Sequence, residues 1–145
     1  MTTNAADIIE GLQTQLSGSE DLDYVKQFLL GIREGIATYP VIIIEPNRLV
    51  ESTEVYGQQD LHVELEVKGI LDCKDKEKQI VGDANTKGIM DFENDVKLAL
   101  DSDRQIGGIA IDSKIIETNY DYSAYPLRAF SIKIDAWFRQ TESIR

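Results

Sequence analysis

The stretch "LHVELEVKGIL", Leu61 to Leu71, constrains this chain more than any other. Leu61, Val63, Leu65 and Val67 alternate with His62, Glu64, Glu66 and Lys68. Successive side chains of a strand point to opposite faces, so this run predicts a strand with one packed and one polar face. A second alternation ends the chain. In Leu127 to Arg139, Phe130, Ile132, Ile134, Ala136 and Phe138 face one way; Ser131, Lys133, Asp135, Trp137 and Arg139 face the other. Two such strands need a cover for their apolar side, and the remaining sequence must supply it.

Helical periodicity supplies candidates. Ile8, Ile9, Leu12 and Leu16 recur at helical spacing over Asp7 to Leu16, with Asn4 as the cap. Ser19 reads as the cap of a second helix with Leu22, Val25, Phe28 or Leu29, Ile32 and Ile36 on its stripe, weakened at Gly31 and Gly35. A third helix is expected over Thr86 to Leu100, capped by Asn85 or Thr86, with Ile89, Phe92, Val96, Ala99 and Leu100 inward. "YPVIIIEP" reads as a short strand buried on both faces, and Asn47 to Gln59 as a long loop or loose hairpin arm. Ile109 to Thr118 reads as a strand, and "NYDYSAYP" as a tyrosine-rich turn. This order predicts one α+β domain over residues 1–145, helical over 1–38, with sheet and one helix over 39–145. The sheet is expected to be single, mixed or antiparallel, of about four strands, with helices mainly on one face.

Charge and composition exclude several functions. The 145 residues carry 15 Lys and Arg against 26 Asp and Glu, a net charge of −11. Nucleic-acid affinity rests largely on cations that neutralise phosphates, so this chain should repel DNA. The one basic cluster, "KDKEK", is interleaved with acids. No basic segment precedes an apolar run, and the longest apolar run, "VIII", is far short of a membrane span, so a soluble intracellular product is expected. The single cysteine, Cys73, cannot form an internal disulfide, which suits a reducing compartment.

The inventory for catalysis is thin. His62, the one histidine, falls on the polar side of a strand, where a surface or interface role outweighs a general base. Around Cys73, Lys74 and Lys76 are opposed by Asp72 and Asp75, which suits an inert thiol. Zinc would need more Cys or His ligands than the sequence has. "GDANTKG" has the residues of a phosphate loop in the wrong order. In "ALDSDRQIGGIAID", Asp101, Asp103, Gln105 and Asp112 imitate calcium-loop spacing, but Ile106 stands where the loop requires glycine. Gly107 and Gly108 follow a helix C-terminus, the negative end, which disfavours phosphate. No enzymatic activity, metal or cofactor is expected.

Four pieces together resemble the tail terminator, or tail completion, proteins of long-tailed bacteriophages. They are "YPVIIIEP", "LHVELEVKGIL", "DFENDVKLALDSDRQIGGIAID" and "AFSIKIDAWFR", and they cover most of the chain from about Tyr39 onward. The N-terminal helical pair departs from that pattern. The resemblance implies a virion protein assembled in the host cytoplasm. It would form a ring, usually a hexamer in that family, at the head-proximal end of the tail tube, stopping tube growth and joining the head. Its partners would be further copies of itself, the tail tube protein and a head-completion or connector protein. Before assembly the free chain would be a monomer that associates on meeting the tube. DNA would pass through without specific binding, past an acidic lumen, and no membrane is involved. Interface candidates are Arg48, Glu51, Glu54 and Tyr56; Lys74 and Lys76; Tyr120, Tyr122 and Tyr125; and Trp137. Trp137 is singled out because large aromatics are enriched at interface cores. Other neck, head-completion or tail-tube proteins, or a small non-enzymatic binding module, are the competing readings.

Overall fold

The computed structural model describes residues 4–31, 38–51, 59–72, 78–83, 87–121 and 127–140. Helix α1 spans Ala5–Ser17, one 3-10 turn spans Glu20–Leu22, and strands β1 and β2 span Gln27–Leu30 and Val41–Glu51. Then come β3 (Gln59–Asp72), α2 (Ile89–Asp101), β4 (Asp112–Asp121) and β5 (Leu127–Gln140). The strands form one mixed sheet in the order β1-β2-β3-β5-β4, in which only the β1–β2 pair is parallel. The expected α+β class holds, with five strands rather than about four.

The β3–β5 pair forms the middle of the sheet. Its register runs unbroken from Gln59 opposite Gln140 to Asp72 opposite Leu127. That register puts Leu61, Val63, Leu65 and Val67 on one face with Phe130, Ile132, Ile134, Ala136 and Phe138, and all nine are buried. Both helices cover this face. α1 contributes Ile8, Leu12 and Leu16, and α2 contributes Ile89, Phe92, Val96, Ala99 and Leu100. Each expected apolar stripe of these two helices is therefore inward.

Caps and cross-links hold the helices in place. Asn4 Oδ1 accepts the Asp7 amide at 3.0 Å, and Asp7 Oδ2 accepts the Asn4 amide at 2.9 Å. This reciprocal box satisfies amide donors that the first turn leaves open. α2 begins later than the sequence suggests, and its cap is Gly88 rather than Asn85 or Thr86. The Asp91 carboxylate accepts the Gly88 amide at 2.9 Å and the Gly82 amide at 2.7 Å. Gln15 Nε2 donates to the Ala99 carbonyl at 2.9 Å, joining α1 to the C-terminal turn of α2. Tyr24 donates to Asp95 at 2.7 Å and packs edge-on to Phe92 with ring centres 5.8 Å apart. Burial, reinforced by the bond to Asp95, pushes the Tyr24 phenol well above its ordinary pKa.

The expected second helix from Ser19 is absent. Ser19 does cap, accepting the Asp21 amide, but the helix ends after one 3-10 turn. Leu22 and Val25 are still buried, and Phe28 packs against the core from a strand. The competing interaction is pairing with β2, which is buried on both faces over Val41 to Ile44 and aligns with Gln27 to Leu30. Ile32 and Ile36 lie outside the described residues. β2 also runs further than expected. It continues through Asn47 to Glu51, so the described part of the expected loop is hairpin arm. β4 is shifted three residues later than the predicted strand, which places Tyr120 in a strand rather than in a turn.

Gly69 is set by the core it borders. A Cβ there would stand 2.3 Å from the Phe130 ring and 3.0 Å from Phe92. Those two rings meet edge to face at 5.0 Å under the middle of the sheet. Gly69→Ala should therefore force the ring pair apart and cost about 1–3 kcal/mol, as overpacking does. Chemical denaturation of the variant checks this, and an unchanged midpoint would refute it.

Candidate assembly surface

The face of the sheet opposite the helices is polar, and its charges are ordered. Reading across β2, β3, β5 and β4, Arg48, Glu64, Asp135 and Lys114 form one row; Glu45, Glu66, Lys133 and Glu117 form the next. Arg48 Nε meets Glu64 at 3.0 Å, Lys133 meets Glu117 at 3.4 Å, and Lys68 reaches Glu45 at 3.9 Å. Ser131 donates to Glu66. At the far end Arg139 Nε donates to Asp60 at 2.7 Å. Opposite charges on neighbouring strands stabilise a sheet modestly, and exposed pairs are worth little individually. Their effect here is to leave the face patterned rather than uniformly acidic.

His62 and Trp137 lie directly opposite one another on this face, with ring centres 5.6 Å apart. His62 Nδ1 stands 3.2 Å from both oxygens of Asp135. An ionised carboxylate only accepts, so this contact suits the tautomer with its hydrogen on Nδ1. Val50 completes the row on the β2 side and is itself exposed. Among the described residues no group of three or more His, Cys, Asp or Glu side chains is arranged to hold a metal. No described helix is long and apolar enough to cross a membrane.

The predicted interface residues divide. Arg48, Glu51 and Trp137 sit toward one end of the sheet. Tyr120 stands opposite Phe130, seven residues along β5 from Trp137, so it does not join them. Glu54, Tyr56, Lys74, Lys76, Tyr122 and Tyr125 lie outside the described residues, as does Cys73. Sequence reasoning missed Leu30, Leu49, Val50, Ile111 and Ile116, which are large, apolar and exposed. Their signal was topological: each lies on or beside an outer strand, and strand order cannot be read from periodicity.

The calcium-like segment is occupied by its own bonds. Asp103 accepts the amides of Gln105 and Gly107, and Asp112 pairs with Arg104 at 2.9 Å. Ile106, Gly107 and Gly108 all have positive φ, at 51°, 67° and 83°. That backbone is unusual for isoleucine, and the buried Ile106 side chain holds it there.

No family model and no curated protein matches this chain. Two solved structures are similar in fold. One is a chain in the virion of the native gene transfer agent particle, with TM-score 0.55 and 9% identity, covering 89% of this chain and 90% of that one. The other is the PVC sheath/tube terminator of an extracellular contractile injection system in its extended state. It has TM-score 0.44 and 11% identity, covering 95% of this chain but 58% of that one.

The Asp60–Arg139 pair offers a direct check of the charge pattern. The bond from Arg139 holds the Asp60 carboxyl below its ordinary pKa, and Asp60 in turn raises Arg139. A carboxyl depressed on folding adds stability that is present above its unfolded pKa and lost as pH falls through its folded pKa. In a carboxyl NMR titration, Asp60 should titrate below ordinary aspartates, and Arg139→Ala should return it to the usual range. Identical curves in the two proteins would contradict the pairing.

Proposed function

We propose that this chain is a non-enzymatic structural protein of the tail terminator type. It forms a ring at the head-proximal end of a tail tube, stops tube growth there and presents the surface that joins the head. One observation carries this reading. Among the described residues, six of the ten exposed large apolar side chains lie along two opposite borders of the sheet. Leu30, Leu49 and Val50 mark the β1–β2 border; Ile111, Ile116 and Tyr120 mark the β4 border. The two borders differ in sequence and structure. Two unlike patches on opposite sides of one subunit suit a head-to-tail contact, which closes into a ring when the rotation allows. The fold shared with a virion chain over nine-tenths of both chains supports the same reading.

The distribution of charge supports it further. α1, the 3-10 turn and α2 hold eight acidic residues, Asp7, Glu10, Glu20, Asp21, Asp91, Glu93, Asp95 and Asp101, against one base, Lys97. Glu93 and Asp95 pair with Lys97 and Lys87, and on the sheet face Glu45, Glu64, Glu117 and Asp60 pair with bases as well. The DNA-repelling surface of the ring is therefore the helical layer, and the sheet side is free for protein contacts.

Electron microscopy of the purified chain mixed with its tail tubes tests the reading. Rings capping one end of each tube are expected. A chain that polymerises into tubes by itself would favour a tube protein, and one that ignores tubes and stays monomeric would favour a small binding module.

A further inference from the structure

We propose that neighbouring copies lock together by inserting Ile116 of one copy into the groove between α1 and the β1–β2 border of the next. This rests on the ring reading and names the contact that builds it. The groove encloses about 300 Å³ and is lined mainly by apolar groups of Ala6, Ile9, Leu30, Ile44 and Pro46, with Glu10 at its rim. It lies on the helix-covered side of the sheet, at the place where β1 ends and β2 continues. β1 pairs with β2 only as far as Ile44, and from Glu45 to Glu51 β2 pairs with β3 on one edge while, among the described residues, no strand borders its other edge. The border there is both apolar and open.

The opposite border carries a matching projection. β4 is the outer strand, and its register with β5 breaks between Ile115 and Glu117. Ile116 is the extra residue of this bulge and is 50% exposed. A bulge re-aims a side chain out of the regular pleat. Ile115, its neighbour, packs against the same core that α1 covers. Knob and groove thus lie on opposite borders of one subunit, which a head-to-tail contact requires.

Charge on the other face agrees with the same docking. Arg48 on the groove border is 66% exposed, and Glu117 beside the knob is 49% exposed. Each keeps its partner within the chain, Glu64 and Lys133 respectively, and still presents an outer side. Apolar burial drives such a contact, and opposed charges set its orientation. A flat apolar strand edge would invite unselective pairing, whereas Pro46 and the two bulges of this sheet restrict it to a shaped fit.

Cysteine cross-linking of the full chain tests the contact. With Cys73→Ser as background, Ala6→Cys and Ile116→Cys are placed together in one chain, or singly in two chains that are then mixed. Oxidation should give a ladder of multimers ending at one closed species for the double variant, and dimers for the mixture. Ile116→Asp, on the exposed bulge, should keep the wild-type circular dichroism spectrum and melting temperature while self-association weakens at least tenfold. If the chain forms rings but no cross-link appears and Ile116→Asp assembles normally, the contact is wrong and the ring reading stands. If no variant and no wild-type sample associates, alone or on tubes, both fall.

Discussion

The long antiparallel pairing of β3 with β5 is the interaction on which the rest of this molecule depends. Fourteen aligned residue pairs satisfy the backbone of both strands along their whole length and fix which side chains share a face. A slip of one residue would send every apolar side chain to the wrong side. With the register set, nine buried side chains demand a cover, and two amphipathic helices supply it. Gly69 marks how closely the layers meet, because Phe130 occupies the space a side chain would need.

The elements that follow a simple period were the legible ones. Alternation in β3 and β5, and helical spacing in α1 and α2, each matched the face that the structure buries. The segment from Ser19 to Leu30 misled because its apolar residues fit a helix on paper. Its fate was decided elsewhere, by β2. A strand apolar on both sides from Val41 to Ile44 needs company on both edges, and only residues beyond the short 3-10 turn are near enough to provide one. Tertiary pairing outweighed local propensity, and nothing local recorded that. The candidate surface was less legible still. Trp137 and Arg48 were visible as an aromatic and a cation on polar-facing positions. Ile116 was not, because its exposure comes from a bulge, and a bulge has no periodic signature.

Charge shows the same division between pattern and place. The net charge of −11 is plain from composition, but composition does not say where the excess lies. The structure weights it toward the helical elements, where acids outnumber bases eight to one, against ten to six on the strands. Across the sheet, acids and bases are interspersed, so that Glu64, Glu117 and Asp60 each have a cationic neighbour. A domain with one repelling side and one charge-paired side has a polarity that a uniformly acidic domain would lack.

That polarity bears on how copies approach one another. Equal negative charges on two helical layers discourage face-to-face pairing through the helices. The paired face of the sheet offers no net attraction to a copy of itself, since its opposite charges are already engaged. The borders are what remain. There the exposed apolar residues of β1–β2 and β4 gather, and there the backbone of the described strands lacks a neighbour. Because the two borders are unlike, contact between them adds subunits in one direction only. In the ring proposed above, a chain that repels through its helices and joins through its edges would extend sideways, with its acidic layer always on the same side. Such an assembly would be held together at the edges and lined by a surface that the phosphate backbone does not bind.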